Sequence, residues 1–470
     1  MVILDSPRMR RSILRTEGLR APTRILPLVL LFLIACTDRD VSGPDTPDPA
    51  IADHANSPAE IVRELAAGRG IGPLQSPAPV RPELVELGRA LAFDPILSGN
   101  KDISCMTCHV PSLGTGDARH LAIGQGASGL GAARVHPDGL FIPRNAPPLF
   151  NLHALDKLFW DGRVSVDESG RVHTPAGKKL TPNMTRVFEF GAVSALGLFP
   201  VVSREEMRGF GGNELADIPD DQLQRIWRGL MRRLGGIEEY RRMFEAAYPG
   251  TPFPSMTFAH ASNAIGGFLV SELAFNDSPW DRFLAGEDDA LTPEQLEGAQ
   301  IFMEIRCSIC HNGPAFSDGD FHNVALAQFG PGQGDGPLGN DDFGHERVSA
   351  DARHRYAFRT TPLRNVELTG PYGHAGQFPD LFDFIDHYSE SHEKLLNYDV
   401  ALLEPLLQNT LVGNFDGILA TRDTIIEGVV LPPEIVESLT EYMHALTDPA
   451  ARDLESLIPE SVPSGLPVER

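Results

Sequence analysis

Apolar residues return at helical intervals in several separate stretches of this chain. From Pro82 onward, Leu84, Leu87, Leu91 and Phe93 share one face, the spacing of an amphipathic helix with one side in a core. The same test predicts helices over about 219–234, 237–247, 256–275, 380–389 and 432–446. A further helix begins at Thr292-Pro293-Glu294-Gln295. There Thr and Gln form a capping box, with Pro in the first turn. Residues 111–150 are irregular and rich in Gly and Pro; so long a loop is usually functional and is expected to wrap a cofactor. Residues 165–186 read as an irregular surface insertion. No stretch alternates apolar and polar positions convincingly, so little strand is predicted.

The apolar run Ile25–Ala35 follows six arginines, Arg8, Arg10, Arg11, Arg15, Arg20 and Arg24. It is too short to span a bilayer and reads as an export signal over residues 1–35. It ends in Leu33-Ile34-Ala35-Cys36, similar to the lipobox of bacterial lipoproteins, in which the Cys is lipidated and becomes the first residue. An ordinary signal peptide with an incidental Cys36 is the alternative. Thr37 matches the sorting pattern for the outer membrane. The expectation is an exported, periplasmic lipoprotein, outer-membrane anchored, that meets the membrane only through its lipid. Residues 36–58, rich in Asp, Pro, Ser and Ala, read as a flexible tether. The length of 470 residues allows two or three domains. The formal charge of −24 argues against nucleic acid as a partner and suits a basic electron donor or an oxidisable partner protein.

The chemistry is concentrated in two pentapeptides, Cys105-Met106-Thr107-Cys108-His109 and Cys307-Ser308-Ile309-Cys310-His311. C-x-x-C-H is the attachment pattern of c-type haem. Both thiols bond to the porphyrin vinyl groups, and the following His becomes an iron ligand. Residues three and four apart share one face of a helical turn, so all three groups can reach one macrocycle. A zinc site or a dithiol redox motif is the alternative, but neither needs a His directly after both pairs. Four of the five cysteines are used in this way. Two covalently bound haems are therefore expected, and haem attachment outside the cytoplasm agrees with the export signal.

Several further stretches resemble the bacterial di-haem cytochrome c peroxidase superfamily, which includes the MauG-type enzymes. They are Leu87-Gly88-Arg89 through Phe93-Asp94-Pro95, Pro143-Arg144-Asn145-Ala146-Pro147, Phe159-Trp160-Asp161-Gly162-Arg163, Pro200 through Glu206-Met207, and Leu363-Arg364-Asn365-Val366 through Thr369-Gly370-Pro371-Tyr372-Gly373-His374. Their order and spacing match over about residues 81–446. The resemblance implies a mostly α fold of two cytochrome c-like haem domains packed together, with long irregular loops. The expected division is residues 59–255 for the first domain, 256–450 for the second, and 451–470 as a tail.

The resemblance also implies roles. In conventional members, a distal His lies sixteen residues after the first proximal His. Here that position is Gln125, within Ile123-Gly124-Gln125-Gly126. Gln binds iron poorly, so the first haem is expected to keep an open position for hydrogen peroxide, with His120 or His136 as substitutes. The second haem of conventional members takes a distal Met fourteen residues after the His that matches His374; here that residue is Tyr388. Tyr at this place is similar to the MauG-type enzymes and would favour oxidised iron, whereas a thioether raises the potential. Packing within the 380–389 helix, with His387 or a Met as the ligand, is the alternative for Tyr388.

Trp160 matches an indole placed between the haems, and Glu206 matches a distal acid that moves protons during O–O cleavage. Pro200 shapes the same pocket in relatives, whereas Leu196 replaces the family's pocket Gln. Asn145, Thr369 and Pro371 match positions that hold one calcium ion. The implied activity is a MauG-like peroxidase whose oxidising equivalents are shared with a His311/Tyr388 haem and passed to an external, plausibly protein, substrate. A conventional cytochrome c peroxidase and an electron-transfer cytochrome are the rivals. Ile305 stands where MauG has a surface Trp, so any hole transfer to a partner must leave elsewhere, near Trp227 or Trp280.

Overall fold

Two crossed helix pairs carry the architecture of the computed structural model, which describes residues 57–470. The signal segment, Cys36 and most of the tether lie outside the described residues. The Pro82–Phe93 helix buries Leu84, Leu87, Leu91 and Phe93, the face predicted from their spacing. It crosses the Phe258–Glu272 helix, which is buried along nearly its whole length. The second half repeats the device. The Pro293–Glu304 helix starts at the predicted capping box, where Thr292 and Gln295 exchange side-chain-to-backbone hydrogen bonds, each 3.2 Å. It crosses the Pro433–Ala445 helix. Each first helix leads to a short turn carrying a C-x-x-C-H motif, Cys105–Cys108 or Cys307–Cys310.

Both crossings are built on glycine. A Cβ on Gly88 would lie 1.9 Å from the Ala264 carbonyl oxygen, and one on Gly298 would lie 1.9 Å from that of Ser438. Backbone meets backbone at these points, so neither helix can admit a methyl group without moving its partner. Gly88→Ala and Gly298→Ala are each expected to lose about 1–3 kcal/mol of stability, read as a lower thermal midpoint of the holoprotein.

The protein is mostly helical with little strand, as expected, but hydrophobic contact groups the chain differently from the linear division 59–255 and 256–450. The Phe258–Glu272 helix belongs to the first core, with Leu84, Leu91 and Phe268. A Pro58–Gly68 helix, absent from the periodicity reading, places Ala59, Val62 and Ala66 in the second core beside Trp280 and Tyr442. Its start was visible: Ser57 and Glu60 form a capping box around Pro58. The 451–470 segment is packed rather than trailing. Leu454 and Val462 enter the first core, and the Ser464 hydroxyl donates to Asp94 at 2.7 Å.

Short strands also escaped the pattern. Lys157–Leu158, Val164–Val166 and Val172–His173 form a three-stranded antiparallel sheet, and Phe321–His322 pairs with Phe358–Arg359. Two or three residues are too few for an alternation to register. Nor is 165–186 purely a surface insertion, because Ala176, Leu180 and Met184 sit in the first core. Trp160 lies in the hairpin between the first two strands. No helix among the described residues is long and apolar enough to cross a membrane.

Candidate functional site

At both pentapeptides the His after the second Cys is held in the same way. His109 Nδ1 lies 3.0 Å from the Thr115 carbonyl, and His311 Nδ1 lies 3.0 Å from that of Phe316. A carbonyl only accepts, so Nδ1 must carry the proton, leaving the Nε2 lone pair for a metal. Burial pushes both imidazoles below their ordinary pKa, which keeps them neutral and able to ligate. Burial pushes the Cys105 and Cys307 thiols up to about 12, and Cys108 also upward. A redox dithiol needs a stabilised thiolate, so this setting runs against one and suits sulfurs destined for thioether bonds.

The second turn opens on a cavity of about 580 Å³. Cys307, Cys310 and His311 line it, as do Trp160, Phe358, Arg359 and Tyr388. The donor set, the tautomer and the mainly apolar walls fit a haem. Tyr388 ends the Leu381–His387 helix, which packs against Pro433–Ala445. Burial pushes its phenol above the ordinary range. His387, one residue earlier, does not line the cavity. Its Nε2 donates to the Val324 carbonyl at 2.9 Å. Met443 also lines the cavity, from Pro433–Ala445.

At the first turn, Pro200 begins a short 3₁₀ segment, Pro200–Val202, that feeds a wide turn at Arg204–Arg208. The turn is closed by i→i+5 bonds, Arg208 N to the Ser203 carbonyl at 2.8 Å and Gly209 N to that of Arg204 at 3.0 Å. Such turns are rare and cluster at functional sites. Glu206 stands on it. Burial pushes its carboxyl above the usual range, against the pull of nearby Arg163. It lies close enough to the Cys105–Cys108 turn to raise both thiols electrostatically. Leu196 ends the Gly191–Leu196 helix, partly buried against the first core.

Gln125 is occupied. Its backbone N–H donates to the Glu206 carbonyl at 2.9 Å and its Nε2 to Asp102 at 3.1 Å. Its Oε1 lies so close over Gly209 that a side chain there would collide with it. His120 Nε2 donates to the Leu402 carbonyl at 3.1 Å, and His136 Nδ1 accepts from Asp138 N–H.

Trp160 sits between elements of both halves. Its indole N–H donates to the Asn145 carbonyl at 2.9 Å, and its own carbonyl accepts from Arg359 N–H at 2.9 Å. Sequence reasoning missed the clamp around it. Buried Arg144 makes a bidentate pair with Asp342, at 2.6 and 2.8 Å, and a third bond to Asp161 at 2.7 Å. Burial would raise the Asp161 carboxyl, but Arg144 and Arg163 hold it well below the usual range. Arg144 and Asp161 lay inside stretches that carried the resemblance; Asp342 had no local signal. Asn145, Thr369 and Pro371 all line the second cavity. Asn145 Nδ2 donates to the Arg119 carbonyl at 2.8 Å, which turns its Oδ1 away from that bond. Trp227 and Trp280 are both buried, at 2% and 0% exposure, so neither reaches the surface.

The family model for the di-haem cytochrome c peroxidases matches residues 82–289. Over that stretch the chain is similar to that family. It is an oxidoreductase acting on hydrogen peroxide, and the family match implies haem c as its cofactor. The methylamine utilization protein MauG of Methylorubrum extorquens is 29% identical over 317 residues, 67% of this chain and 71% of that protein. Cytochrome c551 peroxidase of Pseudomonas aeruginosa is 28% identical over 387 residues, 82% of this chain and 84% of that protein. The crystal structure of a MauG-like protein associated with microbial copper homeostasis superposes with a TM-score of 0.57 at 23% identity. It covers 83% of this chain and 97% of the other, a likeness of fold.

Proposed function

We propose that this di-haem peroxidase is of the MauG type, reacting with hydrogen peroxide at the His109 haem and passing oxidising equivalents to an external protein substrate. The observation that carries the reading is the wall of the second cavity, which presents the Tyr388 phenol while His387 is bound to Val324 and turned elsewhere. Cys105, Cys108 and His109 would hold one haem, and Cys307, Cys310, His311 and Tyr388 the other. When bound there, haem supplies the redox-active iron that peroxide oxidises.

The chain's own groups do the rest. The Glu206 carboxylate takes the proton from one peroxide oxygen and delivers it to the other, so that water is the leaving group. Pro200 and the wide turn hold that carboxylate in place. Gln125, tied to Asp102, stays out of the reacting position. The Arg144–Asp342–Asp161 clamp and the Asn145 carbonyl fix the Trp160 indole, whose oxidisable ring relays electrons. The neutral oxygens of Asn145, Thr369 and Pro371 suit a calcium ion. Cys36 would anchor the protein in the periplasm by its lipid.

Stoichiometric peroxide added to the as-isolated diferric protein tests this. The expected result is rapid loss of both ferric EPR signals with a new near-infrared band. A reaction that waits for prior reduction of one haem would refute it. That outcome would favour a second reading supported by Met443 in the same wall: a conventional cytochrome c peroxidase with a thioether ligand, fed by a small electron carrier.

A further inference from the structure

Six arginines are buried among the described residues: Arg119, Arg134, Arg144, Arg208, Arg359 and Arg364. Five have a carboxylate within reach. Arg119 pairs with Glu404, Arg134 with Glu469, Arg144 with Asp342 and Asp161, Arg208 with Asp220, and Arg364 with Asp281. That is the expected pattern, because a charge taken out of water must be compensated. Arg359, only 7% exposed, has no such partner. Its Nε donates to the Phe159 carbonyl at 3.2 Å and its Nη1 to the Thr360 carbonyl at 3.2 Å. Its Nη2 makes no hydrogen bond with the described residues. Burial lowers the guanidinium to about 10, with no nearby acid to oppose the fall.

This cation stands in the wall of the cavity that Cys307, Cys310 and His311 line. Thioether bonds to those cysteines use the vinyl groups of the tetrapyrrole and leave its two propionates free on the ring. A guanidinium offers paired donors that match a carboxylate. We propose that Arg359 anchors a propionate of the haem attached at Cys307 and Cys310. The proposal rests on haem filling this cavity and not on whether Tyr388 or Met443 is its distal ligand. Arg359 also binds the Trp160 hairpin twice, through its backbone N–H to the Trp160 carbonyl and through Nε to that of Phe159. The propionate contact is thereby joined to the loop that positions the indole between the haems.

Removing the positive charge, with the propionate left ionised and unpaired, favours ferric over ferrous iron. An unpaired, desolvated propionate also titrates nearer neutral pH. The test uses Arg359→Gln and Arg359→Lys in protein verified to carry two covalent haems. The measurements are the propionate bending mode in resonance Raman and the potential of the His311 haem against pH. For Arg359→Gln, the mode is expected to fall in frequency. The potential should drop at neutral pH and climb back as acid protonates the propionate, whereas wild type stays nearly flat. Arg359→Lys should keep the wild-type profile. An unchanged mode and a flat profile in Arg359→Gln would overturn the assignment. Should Arg359→Gln fail to load its second haem, Arg359→Lys decides: a shifted propionate mode with a retained flat potential supports the contact, because an ammonium keeps the charge but not the paired donors, and a wild-type mode overturns it. An absence of peroxide reactivity in the wild-type holoprotein would count against the peroxidase reading and leave the Arg359 assignment to the Raman result.

Discussion

Tyr388→Phe is expected to raise the midpoint potential of the His311 haem and to abolish the near-infrared band that peroxide produces. Phe preserves the ring and its contact with Phe384, 5.7 Å between centroids, so the change isolates one oxygen. An anionic oxygen ligand stabilises oxidised iron, and its loss favours the reduced form. Axial ligands spread haem potentials over about 0.8 V, so a shift on the order of 0.1 V is expected. Spectroelectrochemistry measures the first effect, and stopped-flow near-infrared absorbance the second. An unchanged potential and spectrum would make Tyr388 a packing residue of its helix. Met443→Leu would then be the variant that alters the second haem.

Glu206→Gln should slow the reaction with peroxide by roughly 10²–10⁴-fold, the usual loss when a positioned acid–base group is removed. The amide keeps the size and the backbone hydrogen bonds of the wide turn but cannot accept and return a proton. The pH profile supplies an independent check. Only the carboxylate form can take the first proton, so the wild-type rate should fall as pH drops through the pKa of Glu206. Burial raises that pKa, which places the acid limb above the ordinary glutamate value of about 4.3. The Gln variant should lose that limb. Stopped-flow measurement of peroxide consumption decides the matter, and an unaltered rate and profile would remove Glu206 from the reaction.

Legibility along the chain followed the range of the interaction. The two C-x-x-C-H turns, the capping box at Thr292 and the buried face of Pro82–Phe93 are encoded by residues three and four apart. Helical geometry brings such residues together whatever the rest of the chain does. The crossing glycines were visible only as letters, Gly88 among them in a quoted stretch. Their meaning needs the partner backbone of Ala264 or Ser438, far along the chain. The Pro58–Gly68 helix shows the same limit in another form. Its cap was written locally, yet its membership of the second core depends on how the chain returns.

The site divides along that line too. Cysteines, the histidines that follow them and their spacing were sufficient to expect two haems, and the resemblance supplied Trp160, Glu206 and Tyr388 as positions. The sequence carried no mark of the Arg144–Asp342 pair, whose members are 198 residues apart, or of Arg359, a lone cation in no motif. Such groups acquire their chemistry from burial, and burial is a property of the folded whole. His387 and Tyr388 are the sharpest case. They are neighbours in sequence, separated by about 100° around a helix. Packing of that helix on Pro433–Ala445, with the Val324 carbonyl taking the imidazole, turns the phenol toward the cavity. Local spacing sets what a short segment can bind; the closure of distant segments selects which side chain faces the cavity and which charge is left for a ligand to neutralise.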